Sequence, residues 1–340
     1  MSDTAGRELA ARRILVTGGT GFVGSALVRG LQRAGARVRS LDNDWRGRAT
    51  RLDDVSHDVE IVQGDIRDKQ VVGRAVAGVD TVCHLAAVNG TEFFYSQPEL
   101  VLEVAVKGMT NVIDACLEHS VRELVLASTS EVYQTPPTIP TGEDAPLSIP
   151  DPANPRYSYA GGKIISELMA LNYGRRHFAR ALIFRLHNVF GPDMGSEHVI
   201  PHLSLRLREL CRASPDGEPI RLPIQGTGLE IRSFAYIDDV IEGILLLLRR
   251  GEHLGIYHIG TQEEVTIEHL AKQIGRCFGR DVEVVPGARP EGGTKRRCPD
   301  ISRLAALGYR PRTSLVEGLA TTVRWYQEHG GILTDDEPEP

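Results

Sequence analysis

Long apolar runs are missing from this chain of 340 residues: the longest spans residues 244–248. A membrane-crossing helix needs ~20 apolar residues, so this run reads as part of a buried helix. Cysteine is sparse and irregular. The five thiols, Cys83, Cys116, Cys211, Cys277 and Cys298, form no C-x-x-C pair and make an odd count, which argues against a disulfide framework or a zinc site. Excess positive charge is also lacking, with 39 Lys and Arg against 45 Asp and Glu and a net charge of −6, so nucleic acid is not an expected partner. The first 13 residues carry no apolar core or cleavage pattern, so a cytoplasmic address is expected. Internal repeats are absent. The end of the chain, 331–340, is acidic and proline-bearing and is expected to stay outside the fold.

The remaining composition, 41% hydrophobic and 25% charged, is that of a soluble globular chain. Residues 14–17, 37–41, 59–63, 79–85, 124–127 and 181–186 read as strands. They alternate with amphipathic stretches at 22–34 and 99–119 and a helical stretch at 159–173. Strand and helix in this alternation imply right-handed βαβ units: an α/β, Rossmann-like, doubly wound parallel sheet. Past Phe190, Gly and Pro break the chain into short pieces, with helical patterns resuming at 239–250 and 267–278. The expected division is a dinucleotide-binding domain over 12–190, with segments returning near 226–260. A smaller, mostly C-terminal substrate-binding lobe is expected from 191–225 and 261–330. Ligands bind outside the carboxyl ends of the strands in such sheets, an edge the smaller lobe can cover.

Between the first strand and the first helix lies Gly18-x-x-Gly21-Phe22-Val23-Gly24. Glycines there permit a tight turn and close backbone approach to a pyrophosphate seated on a helix N-terminus. Asp42, followed by Asn43, ends the next strand. Its carboxylate suits the hydroxyls of an adenosine ribose and repels a 2′-phosphate, favouring NAD, although Arg39, Arg46 and Arg48 nearby keep NADP open. Further on, Tyr159 and Lys163 stand four apart on one helix face. The ammonium is expected to lower the phenol's pKa, so that Tyr159 takes a proton from a sugar hydroxyl near neutral pH. Ser128-Thr129-Ser130 closes the preceding strand, where a hydroxyl can hold the same substrate oxygen. His198 and His202 could share a helix face as metal ligands, but Pro201 lies between them with no acidic third ligand, so no metal is expected.

Seven motifs in order, TGGTGFVG, GDIRD, HLAA, STSEVY, YAGGK, FRLHNVFGP and RSFAYIDDV, span much of the chain. On these the sequence resembles an extended short-chain dehydrogenase/reductase of the nucleotide-sugar epimerase/dehydratase family, over about residues 12–328. The resemblance implies that Asp65 and Ile66 hold the adenine, and the backbone of Leu85, Ala86 and Ala87 the pyrophosphate and nicotinamide ribose. It implies that Thr129 and Tyr159 contact the sugar 4-hydroxyl while Lys163 hydrogen-bonds the ribose. Asn188, Arg232 and Arg297 match positions that bind the diphosphate of a sugar nucleotide. Helices 99–119 and 159–173 match those of a dimer interface, so a homodimer is expected.

The shared first step would be NAD-dependent oxidation at sugar carbon 4. Where family 4,6-dehydratases carry an Asp-Glu pair, this chain has Ser130-Glu131, and serine is a poor acid for expelling hydroxide. Glu131 could still serve as a base or as polar support. Sugar-acid decarboxylases share Thr-Ser-Glu but often carry an arginine where Asp193 stands. A nucleotide-sugar 4-epimerase is therefore the expected activity, with dehydratase and decarboxylase as alternatives. Outside enzymes, a cofactor-binding regulatory or scaffold protein is the competing reading. Gln134 in place of a glycine, Ala105 in place of an asparagine, and the loop 89–94 depart from the family pattern.

Overall fold

The computed structural model describes residues 9–215, 217–288 and 294–330; the tail at 331–340 lies outside them. Six strands of the first half are β1 (Arg13–Thr17), β2 (Arg37–Asp42), β3 (Val59–Gln63), β4 (Thr81–His84), β5 (Glu123–Thr129) and β6 (Arg180–Leu186). The chain returns as a seventh strand, Gly255–Ile259, beside β6. The order across the sheet is then Gly255–Ile259, β6, β5, β4, β1, β2, β3, and every pairing is parallel. Strand order reverses between β1 and β4, where a doubly wound sheet opens a crevice at its carboxyl edge.

The helices of this half are α1 (Phe22–Arg33), α2 (Lys69–Val76), α3 (Thr91–Ser96), α4 (Pro98–Leu102), α5 (Met109–Glu118) and α6 (Ser158–His177). Side chains alternate across a strand, so β1 feeds both layers. Ile14 and Val16 join the cluster shared with α1 and the helix Ile237–Arg250. Leu15 joins the cluster shared with α2 and α5. Gly30 lets α1 and that later helix close up, since a Cβ there would meet Ile241 Cγ2 at 2.7 Å.

The helix expected over 99–119 is interrupted. Between α4 and α5 the chain makes a π-helical turn, Glu103–Gly108. The cause is contact with α6: the Ala105 carbonyl accepts a hydrogen bond from Ser166 Oγ at 3.1 Å. A Cβ on Gly162 would lie 2.6 Å from that of Ala105, so the two small residues let the turn and α6 approach. Inserted π turns are frequent beside functional sites.

Outside this sheet lie a three-stranded sheet of Glu264–Thr266, Ile231–Ser233 and Arg296–Arg297 and two strand pairs, all from Val189 onward. Arg232 and Arg297 are register partners on parallel strands, which puts their side chains on one face. No helix among the described residues is long and apolar enough to cross a membrane.

Candidate active site

One cleft runs along the carboxyl edge of the sheet. At one end the glycine-rich turn follows β1. Gly18 has φ +74°, and a Cβ there would meet Ala86 N at 2.8 Å; a Cβ on Gly24 would lie 1.9 Å from the Gly18 carbonyl oxygen. Backbone alone fits this cradle. Gly21 caps α1 without any side-chain hydrogen bond, so the amides of the first helical turn are left for an anion. This observation fits a dinucleotide pyrophosphate.

Phe22, Val23, Leu85, Ala86 and Ala87 also line the cleft. Asp42 accepts the Thr20 amide at 3.1 Å and the Asp44 amide at 3.0 Å, one on each carboxylate oxygen. These bonds orient the carboxylate at the end of β2 and leave each oxygen a further lone pair. Asn43 donates to Asp65 at 3.1 Å, and Arg67 grips the same carboxylate at 2.8 Å. The Arg67 guanidinium holds Asp65 below its ordinary pKa. Ile66 lines the cleft beside it.

The arginines that kept NADP open are engaged elsewhere. Arg39 donates to the carbonyls of Ala75 and Ala77 and pairs with Glu60. Arg46 pairs with Glu197 and lies over the Phe93 ring. Arg48 and Arg51 both pair with Asp193, whose φ of +60° places it in the left-handed region.

At the other end of the cleft, Tyr159, Lys163 and Glu167 form a buried polar stripe along α6 at spacings of four. The sequence reading found the first two and missed the third, although the same spacing continues through it. Glu167 takes two hydrogen bonds from Arg185, at 2.9 and 2.6 Å, and one from Ser128. Lys163 Nζ donates to the Ala127 carbonyl at 2.8 Å, and burial pulls its pKa down to about 8 against the opposing pull of Glu167.

The expected acidification of Tyr159 by Lys163 is corrected here. Burial holds the phenol above its ordinary pKa and the Glu131 charge adds to the rise, while hydrogen bonding with Thr129 opposes both. The apolar wall is Phe94 of α3, stacked on the Tyr159 ring with centroids 5.2 Å apart and planes 9° from parallel. No local sequence signal marks it beyond the unassigned loop.

Thr129, Ser130 and Glu131 all line the cleft. Glu131 Oε1 accepts a hydrogen bond from Arg297 Nη1 at 2.7 Å. Burial would raise this carboxyl, but Arg297, with Arg156 and Arg232 adding charge, holds it below its ordinary pKa. Arg156 was missed in the sequence; it lies in the turn just before α6 and lines the cleft. Asn188 also lines it, at φ +38°, with its amide donating to the Ser233 carbonyl at 2.9 Å. Arg232 is the one candidate outside the lining: its guanidinium donates to the carbonyls of Ile231 and Thr294 at 2.8 and 2.7 Å. Gln134, where a glycine was expected, adopts φ +52° and bonds its side chain back to the Glu131 carbonyl at 2.6 Å. Among the described residues, no group of three or more His, Cys, Asp or Glu is placed to hold a metal ion.

Comparison with known proteins finds similar enzymes over nearly the whole chain. A dTDP-glucose 4,6-dehydratase of Streptomyces antibioticus is 33% identical over 325 residues, covering 93% of this chain and 92% of that one. A UDP-N-acetyl-alpha-D-glucosaminuronate decarboxylase of Bacillus cytotoxicus is 28% identical, covering 93% and 98%. The crystal structure of Thermus thermophilus UDP-glucose 4-epimerase in complex with NAD superposes with a TM-score of 0.80 at 30% identity, covering 93% and 99%. The family model for NAD dependent epimerase/dehydratase enzymes matches residues 14–260, and the chain belongs to that family.

Proposed function

We propose that this enzyme is a nucleotide-sugar 4-epimerase that retains NAD. The observation that carries the reading is the state of Glu131. It is held in its charged form by Arg297 at 2.7 Å, with Ser130 before it, so neither residue following Thr129 supplies an acid to expel a hydroxyl. NAD, when bound, supplies the hydride acceptor and a positive nicotinamide that favours the phenolate form of a nearby phenol. Tyr159 then takes the proton of the sugar 4-hydroxyl, and the Thr129 hydroxyl holds the same oxygen. Lys163, one helical turn away, is held by the Ala127 carbonyl at 2.8 Å. With the hydride returned to the opposite face of carbon 4, Tyr159 would give the proton back to its oxygen, so the epimer would form with no net change of composition. Arg156, Asn188 and Arg297 line the cleft, and a diphosphate bound there would share Arg297 with Glu131; guanidinium binds such a group well.

A second reading, decarboxylation of a sugar acid, is favoured by one observation: Arg297 reaches into the cleft beside Ser130 and Glu131. The test is incubation with UDP- and dTDP-linked hexoses and hexuronic acids, read by mass spectrometry and carbohydrate NMR. The expected product is the 4-epimer at unchanged mass with no accumulating NADH. Loss of water overturns the proposal for a dehydratase, and loss of carbon dioxide overturns it for the second reading. Tyr159→Phe is expected to slow turnover by about 10²–10⁴-fold with NAD retained; unchanged function would support a non-catalytic protein. A homodimer is part of the same proposal, supported by the exposed apolar residues Ile165, Leu168 and Tyr173 on α6 and Leu102 on α4. The buried thiols Cys83, Cys116 and Cys298 support a reducing, cytoplasmic location.

A further inference from the structure

We propose that Asp193 and Glu197 set the dinucleotide preference of the cleft, by occupying the arginines that would otherwise receive a 2′-phosphate. The inference rests on the NAD reading above. In a doubly wound sheet an acid at the end of the second strand receives the ribose hydroxyls, and an arginine nearby accommodates the extra phosphate of NADP. Here the acid is Asp42, and the loop after it is rich in arginine. Arg46 lines the cleft, yet its guanidinium is held by Glu197, by the Asn89 carbonyl and by the face of Phe93, 4.9 Å away. Arg48 pairs with Asp193. Arg51 grips the same residue at both its carboxylate, 2.7 Å, and its carbonyl, 2.9 Å, and reaches the Thr20 carbonyl of the glycine-rich turn at 3.1 Å.

Asp193 thus ties the segment after Gly191-Pro192 to the turn that receives the pyrophosphate. Against the three guanidinium groups of Arg46, Arg48 and Arg51 stand the carboxylates of Asp42, Asp44, Asp193 and Glu197. The loop after β2 therefore presents paired guanidinium groups and no unbalanced positive charge, despite its arginines. An incoming 2′-phosphate would have to displace a carboxylate already paired to guanidinium, with Asp42 adding repulsion. A bare ribose demands no such exchange. The segment that carries Asp193 and Glu197 lies about 150 residues beyond the arginines, so selectivity is imposed across the cleft and not by the second strand alone.

The experiment is isothermal calorimetry of NAD and NADP binding to the wild type, Glu197→Gln, Asp193→Asn and the double variant, each freed of bound dinucleotide and checked by thermal melting. The wild type is expected to prefer NAD, and the double variant to lose about ten-fold of that preference through tighter NADP binding. Adding Arg46→Ala to Glu197→Gln should remove the gain made by the single variant. An unchanged preference in folded protein overturns the inference, as does a gain that survives Arg46→Ala. Should Asp193→Asn fail to fold, because Asp193 anchors Arg51, Glu197→Gln with and without Arg46→Ala decides by itself. A wild type that binds neither dinucleotide overturns the NAD reading, a result distinct from NAD binding with an unaltered preference.

Discussion

Glu131 is pulled in two directions: burial favours its neutral form, and the Arg297 guanidinium at 2.7 Å favours the charged one and prevails. Removing the arginine leaves the carboxylate without its closest partner. Arg297→Met is expected to destabilise the protein by about 1–3 kcal/mol at pH 7, below the full cost for a wholly buried pair because Glu131 keeps 27% of its side chain exposed. A carboxyl with a depressed folded pKa contributes stability above its unfolded value, near ~4.3, and loses it as pH falls through the folded one. The gap between wild type and variant in urea denaturation should therefore close below about pH 4; a gap that is constant with pH would contradict the pairing. Tyr159 and Lys163 were legible in the sequence because four residues is one helical turn. The Arg297–Glu131 pair was not, since 166 residues separate its members and no periodic pattern links them.

Helix α6 does two jobs with two faces. Its inner face carries Tyr159, Lys163 and Glu167, buried against β5 and β6. Its outer face leaves Leu168 54% and Ile165 41% exposed, beside Leu102 of α4 at 40%. An apolar stripe shared by two neighbouring helices fits a second copy of the same two helices, related by a twofold axis. Light scattering at micromolar concentration is expected to give twice the 37.3 kDa chain mass, and Leu168→Glu should return it to the mass of one chain. A wild type that scatters as a monomer contradicts the proposal. The helix itself was visible in the sequence, but its polar inner face blurred the usual amphipathic signal. The π turn at Glu103–Gly108 was hidden because it answers to Gly162 and Ser166 on a different helix.

The molecule as a unit stores several neutral histidines. Burial pulls His84 down to about 3 and His258 to about 4, and holds His187 well below its ordinary value. His84 bonds Thr17 and His258 bonds Tyr133, at 2.7 and 2.6 Å, while neither ring nitrogen of His187 has a hydrogen-bond partner among the described residues. An unfolded chain takes up protons on these rings below pH ~6.5, whereas the folded one resists until nearer the depressed values, so stability falls as pH drops through that window. Each such ring costs up to about 2 kcal/mol by pH 5 relative to pH 7. The urea midpoint should fall clearly between pH 7 and pH 5, and an equal or higher midpoint at pH 5 would exclude neutral buried rings.

What the sequence determined by itself is everything written in short-range spacing. The alternation of β-branched runs with amphipathic helices specified the parallel sheet. The glycine triplet, Asp42 at the end of the next strand, and the Tyr159–Lys163 step marked the candidate dinucleotide turn and the candidate proton-transfer group. Backbone geometry and helical pitch act over a few residues, so such features survive in the linear text. Only the tertiary structure decided which loops meet at the carboxyl edge. It set Phe94 on Tyr159, Arg297 on Glu131, and Asp193 and Glu197 on the arginines after β2, reversing the expected sign of the tyrosine's pKa shift and pairing cations that had kept NADP open. Burial and long-range charge pairing control those outcomes, and both depend on distances that the order of residues does not encode.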